Sequence, residues 1–464
     1  MLKLLLLAAL AADPPAVPAL DTALVRMGGA EALERVEWVR YDMITQWQRT
    51  AFDARPYADQ PSYEQHTDWR DYGLGAWRNT RRFLGAGGGR EITDVVRDSV
   101  AIRRMNGAWA PLRVAYVDER RELFTFAPER VLLLAKRAAD LKALPDTAIA
   151  GVAHARVSAT IEGFPATLFL RRTDGLPAMV RWRAAQPNDF GLVPWGEMEA
   201  EVWYSGWRRT SAGVVLPTQL DVRRVGRPYK RVTILSAVFD GVVADSFAVS
   251  DSLRQAFFAT ANRPMHDLPL DSAKVVDGRF AIFGAFGTPP GAVKLGRRWV
   301  LLETGQAPLS IERSAAWLTG QAGGGALAGA VVTMPAVGQG GAAWLAGRRV
   351  PLHVAPGARP FVATILKNHG RSAAAMTPVA VRGQWLKVDG DSLWVEPIDL
   401  PDAPGAALVY VPSLRWAYSA LAASPLHLDY VLARLRERGM PVERIGSARG
   451  LVAPLPPAGT APQR

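Results

Sequence analysis

The chain has 464 residues, enough for roughly two to four domains, and with 49% apolar residues and 15 Trp it carries material for large buried cores, which excludes wholesale disorder. Its 55 Lys and Arg outnumber its 43 Asp and Glu by 12, yet only eight of those cations are Lys; so strong an Arg skew, beside many Ala, Gly and Pro, reflects base composition rather than a selected basic patch, and no nucleic acid is expected as a partner. Zero Cys excludes a disulfide framework, thiolate metal sites and a Cys nucleophile.

Met1-Leu2-Lys3, the apolar run Leu4 to Ala12 and the break at Asp13-Pro14-Pro15 fit an export signal with Ala9-Leu10-Ala11 as its cleavage sequence. Residues 1–12 are therefore read as a signal peptide and the protein as exported, periplasmic or extracellular. A nine-residue run is far short of the roughly 20 needed to cross a bilayer, and no later segment reaches that length without Gly, Pro or charge, so no transmembrane segment is expected.

Beyond the leader, Trp38 to Gln48 places Val39, Tyr41, Met43, Thr45 and Trp47 on one face at period two, which predicts a strand with one wet face. The alternation returns at Glu197 to Tyr204, where Met198, Ala200, Val202 and Tyr204 interleave with Glu197, Glu199 and Glu201. Shorter strands are expected at Trp77–Phe83, Ala166–Arg171, Ala178–Arg183, Val214–Arg224 and Arg231–Val238, and a helix at Pro128–Leu144. One-sided strands in series imply an antiparallel curved sheet or half-barrel with a few helices.

Met27-Gly28-Gly29-Ala30-Glu31-Ala32-Leu33, the turn Gly175-Leu176-Pro177 and the run from Val202 to Pro217 resemble the half-barrel domains of bacterial lipoprotein carriers, the LolA-like group, over residues 20–250. In that group the concave sheet shields an acyl chain, so the resemblance implies an apolar or lipid-like ligand. Nine of the 15 Trp lie before residue 250. They could line such a cavity or fill the core of the sheet, and the second use is the commoner.

Residues 251–274, with Asn262-Arg263-Pro264 and Leu268-Pro269, read as a linker because Pro stops both helix and strand. After it the grammar changes. Apolar runs at Phe280–Phe283, Trp299–Glu303, Ala328–Thr333, Pro351–Val354, Leu393–Pro397, Ala407–Val411 and Trp416–Ser419 alternate with helical segments at Leu309–Thr319, Gly341–Ala346 and His427–Arg438. Wholly apolar strands such as Gly329-Ala330-Val331-Val332 suggest sheet buried on both faces and so helices on both sides.

Ala328 to Pro356 closely resembles the metal-binding stretch of the metallo-β-lactamase fold, in which a buried strand ends in T-H-x-H-x-D-H-x-G before a helix and a second strand. Thr333 and Gly341 hold the flanking positions, but the four ligand positions are Met334, Ala336, Gly338 and Gln339. Zinc takes imidazole or carboxylate donors at about 2.0–2.2 Å, which Ala and Gly lack and for which Met or Gln is a poor substitute. The resemblance covers residues 275–455. Trp299 to Gly305 looks like the early strand that ends in D-T-G, with Glu303 for Asp. Leu408 to Ala420 looks like the strand pair ending in the bridging Asp, with Ala420 in its place. Arg438-Gly439 through Gly450 looks like the terminal helix and strand, with Arg449 where His would stand. The middle His, expected near Pro401 to Gly405, is absent. The resemblance thus implies an αββα sandwich with a lost zinc site and no cofactor, followed by a tail at 456–464.

None of His66, His154, His266, His353, His369 and His427 pairs with another at the i, i+2 or i, i+4 spacing that brings two imidazoles to one metal. No G-x-S-x-G, S-x-x-K, phosphate loop or H-E-x-x-H occurs. After residue 268 there are 12 acidic residues against 20 Lys and Arg, poor ground for a new carboxylate dyad. Without a two-metal clamp, the positive second half has no means of generating a nucleophile for phosphodiester hydrolysis. Two readings follow: a non-catalytic exported binding or scaffold protein, and a metallo-β-lactamase-fold hydrolase of unknown substrate whose site uses other residues.

Overall fold

The computed structural model describes residues 17–48, 61–84, 89–112, 123–185, 197–239, 244–261, 270, 272–283, 291–305, 308–320, 322–334, 339–448 and 453–455. The leader lies outside them. Among the described residues no helix is long and apolar enough to cross a membrane.

The two-period alternation of the first half becomes one antiparallel sheet of 13 strands. Its central pair is Trp38–Gln48 and Arg227–Val238, so the first and last strands of the half lie side by side. From the first, consecutive hairpins lead through Pro61–Asp71, Ala76–Leu84, Glu91–Arg97 and Val100–Met105 to the edge strand Ala108–Pro111. From the last, they lead back through Val215–Arg224, Glu197–Arg209, Pro177–Ala185, Phe164–Arg171 and Val152–Ile161 to the other edge, Lys142–Ile149. The helices Pro18–Arg26 and Pro128–Lys136 pack Leu20, Leu24, Val131 and Leu132 into one core with Val39, Tyr41, Val157, Leu168, Val202 and Val232. Each such apolar side chain contributes about 1.5–3 kcal/mol by leaving water.

The expected helix Pro128–Leu144 stops at Lys136, and its last residues begin the edge strand Lys142–Ile149. Residues 251–261, expected in the linker, are helical. Ser250 caps this segment by accepting from Leu253 N–H at 3.4 Å, and Phe257 and Ala261 pack against Ala76, Val95 and Ile102 of the first sheet.

The second half is a four-layer αββα sandwich. One sheet runs Lys274–Val276, Phe280–Ile282, Gly291–Leu295, Arg298–Leu302, Leu327–Val332, Leu352–Val354, Met376–Pro378, antiparallel as far as Arg298–Leu302 and parallel thereafter. Parallel neighbours need crossovers, supplied here by the helices Pro308–Gly320, Ala342–Gly347 and Arg359–Asn368. The other sheet runs Gln384–Val388, Asp391–Leu400, Ala403–Val411, Trp416–Tyr418, Arg444–Gly446, Ala453–Pro454, with the helix Pro425–Glu437 crossing between its parallel pair.

Strand Ala403–Val411 shows why its sequence is apolar throughout. Ala407, Val409 and Val411 face the inter-sheet core with Trp416 and Val331, whereas Leu408 and Tyr410 face outward against Val431 and Leu435 of the covering helix. Trp299 and Trp416 are wholly buried between the layers. The two halves touch at Met198, a first-sheet residue that joins the sandwich core.

Candidate functional site

The place where the sequence resembles a metal-binding stretch lies at the ends of two parallel strands. Arg298–Leu302 runs into Glu303, and Leu327–Val332 runs into Thr333 and Met334. Glu303 adopts the left-handed backbone conformation, φ 65°, unusual outside glycine, while its N–H still donates to Val331 O at 2.9 Å. Its carboxyl group is buried and fully engaged. Oε1 accepts from Thr333 N–H at 2.9 Å and from Thr333 Oγ1–H at 2.5 Å, and Oε2 accepts from Gln339 Nε2–H at 2.6 Å.

Gln339 is bonded at both amide atoms as well. Its second Nε2–H reaches Met334 O at 3.3 Å, and its Oε1 accepts from Thr304 Oγ1–H at 3.0 Å. Thr333 then extends the network to the opposite sheet: its Oγ1 accepts from Ala420 N–H at 3.2 Å and its carbonyl from Ala407 N–H at 2.7 Å. Gly341, immediately beyond, donates to Gly305 O at 3.1 Å.

Burial pushes the Glu303 carboxyl up to about 7, against the opposing pull of the Thr333 and Gln339 donors. Tyr418, also wholly buried, has a phenol pushed well above its usual range by burial and then by the Glu303 charge. Its hydroxyl has no hydrogen-bond partner among the described residues.

Of the six positions that the sequence resemblance sets at ligand places, Met334, Gln339 and Ala420 converge on this network, and Ala336, Gly338 and Arg449 lie outside the described residues. The residues present do not fit a zinc ion. Ala420 offers a methyl group, Met334 a thioether packed against the core, Gln339 an amide whose nitrogen and oxygen are both hydrogen-bonded, and Glu303 two oxygens already accepting. Among the described residues no group of three or more His, Asp or Glu is placed to hold a metal ion.

Reading the sequence for ligands missed the centre of the network, since Glu303 was noted only as a replacement for Asp. A signal existed. It is the one charged residue closing the run Trp299-Val300-Leu301-Leu302, and a carboxylate at the end of a doubly covered strand must find donors inside.

In the first half a second polar cluster lies on the helix-bearing face of the sheet. Tyr41, Asp68, Asn79, Asp94 and Arg103 stand opposite one another on five successive strands. Asp94 accepts from Arg81 at 2.8 Å and from Arg103 at 2.7 Å, Asp68 accepts from Arg70 at 2.7 Å, and His66 Nε2 lies 3.2 Å from Glu64. Glu64, Asp68, Arg70, Arg81 and Asp94 are all buried. Burial tends to raise the Glu64 carboxyl, but His66 and then Arg81 outweigh it and hold the group down at about 2.

The described tryptophans of this half are largely engaged with protein. Trp182 stacks on Phe126 at 4.2 Å, Trp47 meets Tyr229 edge-on at 5.6 Å, and Trp69 and Trp77 pack with Phe247 and Phe257. Among the histidines, His353 and His369 do not meet on one metal, and His427 Nε2 lies 2.6 Å from Asp402 Oδ1.

No protein-family model matches the chain, and no curated protein does. Solved structures are similar to parts of the chain. An outer membrane lipoprotein-sorting protein domain from Vibrio parahaemolyticus is similar over 49% of this chain and 95% of its own, at 8% identity and a TM-score of 0.32. A metallo-β-lactamase from Pontibacter korlensis is similar over 39% of this chain and 85% of its own, at 14% identity and a TM-score of 0.27. The stereoselective inverting sec-alkylsulfatase from Pseudomonas sp. is similar over 39% of this chain and 38% of its own, at 13% identity and a TM-score of 0.32.

Proposed function

We propose that the protein is an exported, non-catalytic binding or scaffold protein, in which a metal-free sandwich of metallo-β-lactamase type is joined to a β-rich binding half spanning residues 20–250. The observation that carries this reading is the closed network of Glu303, Thr333, Gln339 and Thr304. The Glu303 carboxyl and the Thr333, Thr304 and Gln339 side chains at the strand ends are bonded to one another. The leader-like start of the sequence supports export.

The ligand of the first half is an apolar or lipid-like molecule bound against the sheet, a reading supported by the sequence likeness to lipoprotein carriers. Metal analysis of the purified full-length chain, beside a panel of generic esters and phosphodiesters, tests the first part. Stoichiometric zinc or metal-dependent turnover overturns it. Displacement of a fluorescent fatty acid tests the second part, and its failure removes the lipid ligand while leaving the sandwich reading intact.

One observation favours a hydrolase acting through another site. His427 pairs Nε2 with the Asp402 carboxylate, and its Nδ1 is buried and without a partner among the described residues; this pairing would orient the imidazole as a general base once that buried edge is uncovered. Turnover on the panel that His427→Ala abolishes would decide for this reading.

A further inference from the structure

The non-catalytic reading says what the strand ends do not do, and their geometry points to what they do. Thr333 is bonded to both sheets, through Ala407 and Ala420 on one side and Glu303 on the other. Gln339 extends the same carboxyl group to the start of the helix Ala342–Gly347, and Thr304 closes the ring. The segment from Thr333 to Gln339 is therefore held to the buried Glu303 carboxyl at both of its ends, and through Thr333 to Ala407 and Ala420 of the other sheet. In the metallo-β-lactamase resemblance, the equivalent segments would meet on a metal.

We infer that Glu303, Thr333 and Gln339 form a metal-independent clasp at the ends of Arg298–Leu302 and Leu327–Val332, in place of a bound ion, which holds Thr333 where it bonds the opposite sheet. This rests on the reading of the sandwich as metal-free. The clasp is specific to this pairing of residues. Gln339 stands where the resemblance places a His ligand, and its two-sided amide can donate to Glu303 and Met334 while accepting from Thr304. Met334 and Ala420 contribute only backbone atoms, so their side chains are free of any donor requirement. The same arrangement closes the place to a metal, because the Glu303 oxygens that could face an ion are turned onto Thr333 and Gln339.

The test is a double-mutant cycle on the full-length protein, read as urea midpoints with and without EDTA or zinc. Glu303→Ala and Gln339→Ala each lower the midpoint, and the double variant falls by clearly less than the sum, because either change alone already opens the clasp. Additive losses, or a Glu303→Ala midpoint equal to that of the parent, overturn the inference. Should Glu303→Ala fail to fold, Thr333→Ser and Thr333→Val replace it. Ser keeps the hydroxyl and the midpoint, Val loses both, and equal behaviour of the two overturns the clasp.

The parent midpoint is unmoved by EDTA or zinc, and a rise in zinc overturns metal independence. Additive losses without metal or turnover would remove the clasp and spare the non-catalytic reading. Metal-free turnover with a coupled cycle would do the reverse.

Discussion

Gly341 lies so close to Thr304 that a Cβ built on it would sit 1.9 Å from the Thr304 carbonyl oxygen and 2.9 Å from Ile311 Cβ. The first of these is backbone and cannot swing away. Gly341→Ala must therefore push the start of the helix Ala342–Gly347 off the strand end that carries Glu303, at a cost of about 1–3 kcal/mol or more. Gly320→Ala is the control, since a Cβ there meets nothing within 4 Å. Urea denaturation should show the first variant destabilised and the second near the parent; equal midpoints would refute the close approach.

The raised carboxyl of Glu303 predicts a pH dependence with a definite sign. Its folded value of about 7 lies above the ordinary carboxylate value of 4.5, so the folded state keeps a proton that the unfolded chain releases. The stability it contributes is complete below about pH 4.5, declines as the pH rises to about 7 and is level beyond. At about 1.4 kcal/mol per unit the decline is on the order of 3 kcal/mol. Glu303→Gln keeps the shape and removes the titration; Gln339 flips its amide to accept from it and Thr304 turns its hydroxyl, at the loss of the bond from Gln339 to Met334 O. The difference between parent and variant, measured by denaturation from pH 4 to 8, should trace this slope; a flat difference would contradict it.

Glu64 acts on the opposite limb. Its carboxyl, held down at about 2, is stabilising when ionised, so its contribution is present above about pH 4.5 and is lost as the pH falls through about 2. Glu64→Gln should lower stability at neutral pH and flatten the acid limb. An acid limb as steep in the variant as in the parent would show that the loss lies with other carboxylates.

Restoring donors to the emptied motif should not restore chemistry. In the variant Met334→His, Ala336→His, Gly338→Asp, Gln339→His, Ala420 and Arg449 still stand where a bridging carboxylate and a last imidazole would be needed. Glu303 would also lose the Gln339 amide that holds its Oε2. Purified variant is expected to bind less than two equivalents of zinc per chain and to leave esters intact. Two tightly bound ions with ester hydrolysis would show that the site had decayed far less than its residues imply.

Strands were legible where burial and hydrophobicity agree. Trp38–Gln48 carries Val39, Tyr41 and Met43 inward, and its bounds follow from the alternation alone. Its neighbour Pro61–Asp71 carries Glu64, His66, Asp68 and Arg70 inward, which inverts the pattern and hides the strand from any reading of apolar period. The pairs within the strand, Asp68 with Arg70 and Glu64 with His66, together with Arg81 and Asn79 on the next strand and Asp94 beyond it, make that burial tolerable, and register across 30 residues is not written in local sequence. The candidate site divides in the same way. Thr333, Gln339 and Gly341 could be found from motif spacing, but that Glu303 and Gln339 would bond to each other depended on how two strand ends and a helix start come together.

Phe257 sets the practical end of the first half. It is wholly buried and packs with Ala76, Val95, Ile102 and Phe247, while Arg254 reaches Asp98 at 3.3 Å from the same helical segment. A fragment that stops at Ser250 keeps every strand of the first sheet but deletes this cover, leaving Ala76, Val95 and Val96 open to water. Truncating a buried Phe to Ala typically costs about 3–5 kcal/mol, and removing the segment costs its remaining contacts as well. The fragment from Asp13 to Ala261 should therefore be soluble and unfold cooperatively, whereas that from Asp13 to Ser250 should aggregate or unfold at a clearly lower urea concentration. In the full-length chain Phe257→Ala should weaken the first half with little effect on the sandwich, whose core shares Met198 and Val225 with the first half but not Phe257. Identical midpoints for the two fragments would show that the segment only rests on the sheet and that the half ends at Ser250.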